Sequence, residues 1–306
     1  MSYSVKLINK FSSFVDKSDT KRLSTQTEPE DVVKVKNIVY AGDGSDIYRL
    51  LDVYYPEGAK GKLPVIIDIH GGAWFYGTKD INRIYAQKIA REGFAVVNMS
   101  YRLLFNGGNI HTMVEDVFGV FNWIKQNEDN YPFDLKNVFL TGDSAGAHIA
   151  CLALSVMADE ELQKTFNVTV PFEINAAGLT CGVYDIEFFM KKMNLSPIRA
   201  MMKEFFGKDY KKSPLLKIGT IKNNKVENFP PIHLSTGSKD FMRSQVLAFS
   251  KVLAERGVEH ELIDFNPKDA DYKLTHVYSV LFPDRKESKI TTQSMLDFFR
   301  EHMRES

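Results

Sequence analysis

A serine becomes a useful nucleophile only when a base takes its proton and an acid holds that base in one tautomer. This 306-residue chain has residues of the right types, in the right order, for that chemistry. Ser144 is the centre of Gly142-Asp-Ser-Ala-Gly146, which follows a strand-like run, Asn137–Thr141, and opens a helix-like run, Ala147–Leu154. Between strand and helix, Gly-x-Ser-x-Gly makes a turn so tight that the serine backbone is strained and its hydroxyl stands clear of the sheet. The flanking glycines are expected because a Cβ there would meet the adjacent strand and helix.

In this kind of site the acid and then the histidine follow the serine along the chain. The histidines after Ser144 are His148, His233, His260, His276 and His302. His148 is one helical turn past the nucleophile and lines the helix. His233 is mid-strand, His260 begins a strand and His302 belongs to the terminal helix. His276 alone occupies a loop after the last strand, which makes it the expected base. Asp240, just past the strand at Ile232–Ser235, is the expected acid, with Asp264, Asp269 and Asp271 as weaker rivals. A helix N-cap is the structural alternative for Asp240. Asp143 and Asp116 both precede Ser144, so a structural role is expected for each.

Acyl transfer places negative charge on the former carbonyl oxygen, and backbone N–H donors must already face it. His70-Gly-Gly-Ala-Trp74 directly follows a buried strand, and its glycines let the main chain approach closely. Gly71, Gly72 and the amide of Ala145, at the positive end of a helix, are the expected oxyanion hole. Ala73, Trp74, Phe188 and Phe189 are the candidate substrate-binding residues.

The elements that must position these groups alternate. Asp31–Tyr40 and Tyr48–Tyr55 read as a hairpin, and Leu63–Ile69 and Phe94–Met99 as buried strands. Helices are expected at Asn82–Glu92, Met113–Gln126, Met242–Arg256 and Thr292–Met303, with further strands at Ile174–Thr180, Ile232–Ser235 and His260–Phe265. The pattern predicts a mostly parallel sheet with helices on both faces, in a single domain over 1–306. Tyr184–Phe229 interrupts it. That stretch carries Phe188, Phe189, Met190, Met193, Met201, Met202, Phe205 and Phe206, and it suits either a lid over an apolar pocket or a cover for the sheet.

With 39 acidic and 39 basic residues, the formal net charge is zero, which gives no electrostatic reason to expect nucleic acid as a partner. Cys151 and Cys181 lie in apolar stretches and read as buried thiols. No metal-ligand spacing and no phosphate-loop glycine pattern occurs, so no metal and no cofactor is implied. No run is long enough to span a bilayer. The first residues lack a secretory leader, and a cytoplasmic protein is expected. Residues 1–36 read as an N-terminal cap segment. Within them Val5, Ile8, Phe11 or Ser12, and Val15 share a helical face that suits packing against the protein better than a membrane surface.

Taken together, Leu51-Asp-Val-Tyr-Tyr-Pro56, His70-Gly-Gly-Ala-Trp74, Ser100-Tyr-Arg-Leu103, Glu115-Asp116, Gly142-Asp-Ser-Ala-Gly146, Gly237-Ser-Lys-Asp240 and His276 resemble an α/β-hydrolase. More narrowly, they resemble the acetyl-esterase and hormone-sensitive-lipase-like carboxylesterases, over roughly residues 48–300. The resemblance implies the α/β-hydrolase fold, an eight-stranded sheet with an antiparallel first hairpin, a small helical cap over residues 184–229, and Ser144, Asp240 and His276 as the triad. It implies hydrolysis of short-chain acyl esters and a small-molecule ester as the partner, and it leaves a homodimer open. The chain departs from the pattern at Ala73, where the family has a third glycine, and at Leu104–Gly108, which replaces Ala-Pro-Glu. The Gly-Gly-x-Trp form and Ser144-Ala-Gly-Ala-His148 are also similar to kynurenine formamidases, so aryl formamide hydrolysis is the enzymatic alternative. A hydrolase-fold binding protein without activity is the non-enzymatic one.

Overall fold

Strands buried on both faces need continuous apolar runs, and the helices laid over them need one apolar stripe. A computed structural model describes residues 3–192, 196–265, 268 and 270–305. Met193, Asp269 and the side chain of Val5 lie outside the described residues. Eight strands form one sheet: β1 (Val32–Val39), β2 (Leu50–Pro56), β3 (Leu63–Ile69), β4 (Ala95–Met99), β5 (Phe133–Asp143), β6 (Ala176–Thr180), β7 (Ile232–Thr236) and β8 (His260–Asp264). Their order is β1-β2-β4-β3-β5-β6-β7-β8. β2 runs antiparallel to β1 and β4, and every other pairing is parallel. This is the expected sheet.

The helices are α1 (Tyr3–Ser24), α2 (Arg83–Arg91), α3 (Ile110–Gln126), α4 (Ala145–Met157), α5 (Glu160–Phe166), α6 (Ile186–Lys192), α7 (Ser196–Phe206), α8 (Pro214–Gly219), α9 (Arg243–Glu255), α10 (Tyr278–Leu281) and α11 (Lys286–Glu301). Alternate residues along β3 separate the two layers. Val65, Ile67 and Ile69 face a core shared with α3, α4 and α9, while Ile66 faces one shared with α2 and α11. Nearly all of α4 is buried, so the turn before it is held by packing along its whole length.

Several elements begin earlier than their apolar pattern does. β5 starts at Phe133, where Leu63 and Pro64 pair with Phe133 and Asp134 ahead of a register shift. α3 starts at Ile110 because Asn109 and Thr112 form a reciprocal cap. α11 starts at Lys286, and its buried Glu287 accepts the Asp271 amide at 2.8 Å. Between β6 and β7 the chain forms α6, α7 and α8. Met201, Met202, Phe205 and Phe206 are buried there and cover the sheet. α1 packs against α7, with Ile8 buried.

Candidate active site

The turn after β5 forces Ser144 to φ 52° and ψ −114°, a conformation that costs a residue with a side chain roughly 1–3 kcal/mol. Its amide donates to Thr180 O at 2.8 Å, which fastens the strained residue to the neighbouring strand. Gly146 shows why the helix can start so close. A Cβ there would lie 1.9 Å from Ile69 O, inside the backbone of β3.

His276 Nε2 is 2.8 Å from Ser144 Oγ, and His276 Nδ1 is 2.7 Å from Asp240 Oδ1. The loop after β7 and the loop carrying His276 are joined by Lys239 N donating to Leu274 O at 2.9 Å. The buried Asp240 also accepts from Thr236 Oγ1 at 2.8 Å and from the Met242 amide at 2.9 Å. Burial alone would raise the Asp240 pKa. The imidazole, the amide and the hydroxyl outweigh it and hold the carboxyl below its ordinary value. Just past the imidazole, Val277 at φ 50° donates its amide to Cys181 Sγ at 3.3 Å. The structure thus brings Ser144, Asp240 and His276 together.

The rival groups are engaged elsewhere. Asp264 pairs with Arg243 Nε at 2.8 Å, and Asp271 lies near Lys286. His233 meets Ser294 Oγ at 2.9 Å, His260 meets Val258 O at 3.0 Å, and His302 meets Phe298 O at 2.7 Å. Among the described residues, Cys181, Asp240 and His276 bring donor atoms within 4.8 Å of one another, but the last two already bind each other. Both cysteines are free and buried.

Of the expected oxyanion donors, Gly71 requires correction. Its amide donates to Asp143 Oδ1 at 3.0 Å and is occupied. The amides of Gly72, Ala73 and Ala145 carry no hydrogen bond among the described residues. Gly72, Ala73 and Trp74 all have positive φ, at 113°, 51° and 65°. Only glycine fits at position 72, since a Cβ would lie 2.0 Å from Tyr76 O.

Asp143 therefore ties the serine turn to this loop, the structural role expected of it. Asn82 Nδ2 donates to Asp143 Oδ1 at 2.9 Å and to Asp68 Oδ2 at 3.1 Å. Burial raises both carboxyls, Asp68 to about 8. Asp143 accepts two N–H groups and Asp68 one, so Asp68 is the member that keeps its proton. Asp116 is also structural, receiving Arg102 Nε at 3.0 Å and the Arg102 amide at 2.8 Å.

Trp74 does not offer a ligand-facing ring as expected. It is buried, and its indole N–H donates to His148 Nδ1 at 3.2 Å, while His148 Nε2 donates to Gly219 O at 2.8 Å. Burial holds the His148 pKa down to about 4, so the ring is neutral and braces the loop against the helices above it. Phe189 packs edge-on to Trp74 at 6.3 Å, whereas Phe188 is exposed. One residue was missed: Phe241, 65% exposed, holds its ring 4.3 Å from that of His276. Its only sequence signal is its place beside Asp240.

A strained serine at a parallel strand end, on an eight-stranded sheet of this order, is the arrangement of the α/β-hydrolase class. The chain belongs to the BD-FAE family, whose model matches residues 51–253. Isoprenylcysteine alpha-carbonyl methylesterase ICME of Arabidopsis thaliana is 28% identical over 241 residues, 76% of this chain and 55% of that protein. The kynurenine formamidase of Danio rerio is 29% identical over 150 residues, 49% of this chain and 47% of that one. The chain spans about half the length of these curated relatives. Esterase B from Lactobacillus rhamnosis (HN001) superposes with a TM-score of 0.90 at 28% identity, covering 98% of this chain and 95% of that one. The same esterase has also been solved inhibited by a tributyrin phosphonate.

Proposed function

We propose that the protein hydrolyses short-chain acyl esters through an acyl-enzyme on Ser144. The observation that carries this reading is the His276 ring, whose two nitrogens lie 2.8 Å from Ser144 Oγ and 2.7 Å from Asp240 Oδ1. Ser144 Oγ attacks the ester carbonyl as His276 Nε2 takes its proton. The imidazolium, steadied by Asp240, gives that proton to the departing alkoxide. The anionic oxygen rests on the amides of Gly72, Ala73 and Ala145, in place of the Gly71 amide. Water, activated by the same imidazole, then releases the acid and frees the serine.

A short acyl group is supported by the Ala73 methyl in a loop where the resembled family has glycine, and by the tributyrin phosphonate on esterase B. The segment 184–229 and α1 form the cap in this reading, and Phe188 and Phe189 belong to its apolar lining. A cytoplasmic location fits the two free, buried cysteines. The formamidase reading is supported by the Danio rerio relative, which the chain matches over half its length.

Rates on p-nitrophenyl acetate, p-nitrophenyl butyrate and N-formylkynurenine separate the readings, with Ser144→Ala as the blank. Ester turnover dominating, and vanishing in the blank, is expected. Turnover of the formamide alone would move the assignment to the amidase, and ester turnover surviving in Ser144→Ala would end it.

A further inference from the structure

α1 carries two apolar stripes, one turned in and one turned out. Ile8 is buried and Val15 and Leu23 are half-buried on the side that faces the protein, while Asn9, Ser12, Ser13, Asp16, Asp19 and Thr20 line an open groove of about 770 Å³. Leu7, Phe11 and Phe14, spaced as one helical stripe, turn to solvent, with Phe14 72% and Phe11 55% exposed. A helix that only capped its own protein would keep this second stripe polar. Lys6, Lys10, Lys17 and Lys21 are exposed along the flank of that stripe, and the helix's two acids lie on the other side. The aromatic face also meets the loop after β3, where the Phe11 ring packs 6.1 Å from that of Phe75. The far side of α1 is fixed by Arg22 Nη2 donating to Ile81 O at 2.9 Å and by Tyr76 Oη donating to Asp19 Oδ2 at 3.0 Å.

We propose that α1 docks the protein reversibly on an anionic lipid surface, burying Leu7, Phe11 and Phe14 among the acyl chains while its lysines meet the head groups. Charge chooses this occupant over a second copy of the chain. A copy paired through the same face would bring its own lysines and no carboxylate from α1, whereas an anionic leaflet takes rings and ammonium groups together. Docking of this kind needs no spanning segment. Among the described residues, no helix is long and apolar enough to cross a membrane.

The test is co-sedimentation of the full chain with phosphatidylcholine vesicles, with and without about 30 mol% phosphatidylglycerol. Binding to the anionic vesicles is expected, weakening about fivefold for each lysine changed in Lys6→Gln, Lys10→Gln and Lys17→Gln. Leu7→Ser with Phe14→Ser should cost about tenfold or more. Both variant sets should keep the parent circular-dichroism spectrum and Tm, which shows that they fold. Docking is read without turnover, so it stands or falls independently of the Ser144 assignment. Equal, negligible sedimentation with both vesicle types would overturn the proposal. So would anionic-vesicle binding that the variants leave unchanged, or a dimer that Phe14→Ser converts to monomer in a chain that ignores vesicles.

Discussion

The floor of the site and the helices above it are built to different standards. On the floor, Ser144, Gly72, Ala73 and Val277 sit in positive-φ conformations, and Ser144, Gly72 and Val277 are each held by a main-chain hydrogen bond. Asp143, Asn82 and Asp68 bind the serine turn to the facing loop with no freedom left over. Above, α1 and α6 expose Phe11, Phe14 and Phe188, and hold to the rest through single buried residues, Ile8 and Ile186, ring contacts such as Phe189 on Trp74, and the hydrogen bonds of Arg22 and Asp19. Stabilising a transition state requires donors fixed to a fraction of an ångström, whereas admitting an acyl chain requires only apolar surface of roughly the right shape. Changes on the floor should therefore lower kcat, and changes above it should move KM.

Asp240→Asn should have the largest effect. It removes the charge that orients the imidazole and should lower kcat about 10⁴-fold with little change in Tm. Loss of Tm in proportion to activity would make Asp240 the helix cap it resembles in sequence. Asp143→Ala, which never touches substrate, should lower kcat about 100-fold with KM nearly unchanged, because the Gly72–Ala73 loop loses its tie to Ser144. A pure rise in KM would break the division between the floor and the helices above it.

Stability should also report the floor. Asp68 keeps its proton to about pH 8, while an unfolded aspartate loses it near pH 4, so its contribution is full below about 4 and lost as pH rises to about 8. His70, His148 and His233, held down to about 4 by burial, act oppositely: their contribution is full above about 6.5 and lost as pH falls to about 4. Three histidines outweigh one aspartate in the acid window, so Tm should peak near pH 6.5 and decline on both sides. Asp68→Asn should flatten the alkaline decline in a thermal-shift series, and an unchanged slope there would contradict a protonated Asp68. The smallest effect belongs to the helices above. Phe188→Ala should raise KM for p-nitrophenyl butyrate by about threefold and leave kcat alone. A collapse of kcat would show that these helices share the floor's precision.

The floor was legible in sequence because its demands are local. A strand–turn–helix glycine pattern, a second glycine pair after a buried strand, and one loop histidine late in the chain each carry their own steric or chemical reason. The error at Gly71 arose because a glycine pair does not tell which amide points into the site. That depends on Asp143, 72 residues away, claiming one of them. Trp74 was misjudged for the same reason, since its partner His148 comes from another element. On α1, the helical spacing of Ile8 and Val15 was visible. The outward turn of Phe14 was not, because the face a helix buries is decided by what lies beneath it.

Reaction with a p-nitrophenyl phosphonate, followed by intact-mass and peptide mass spectrometry, measures the central claim most directly. One phosphonyl group should appear on the peptide holding Ser144, forming far more slowly in His276→Ala. An adduct on a different residue, or equal labelling with and without the imidazole, would contradict it.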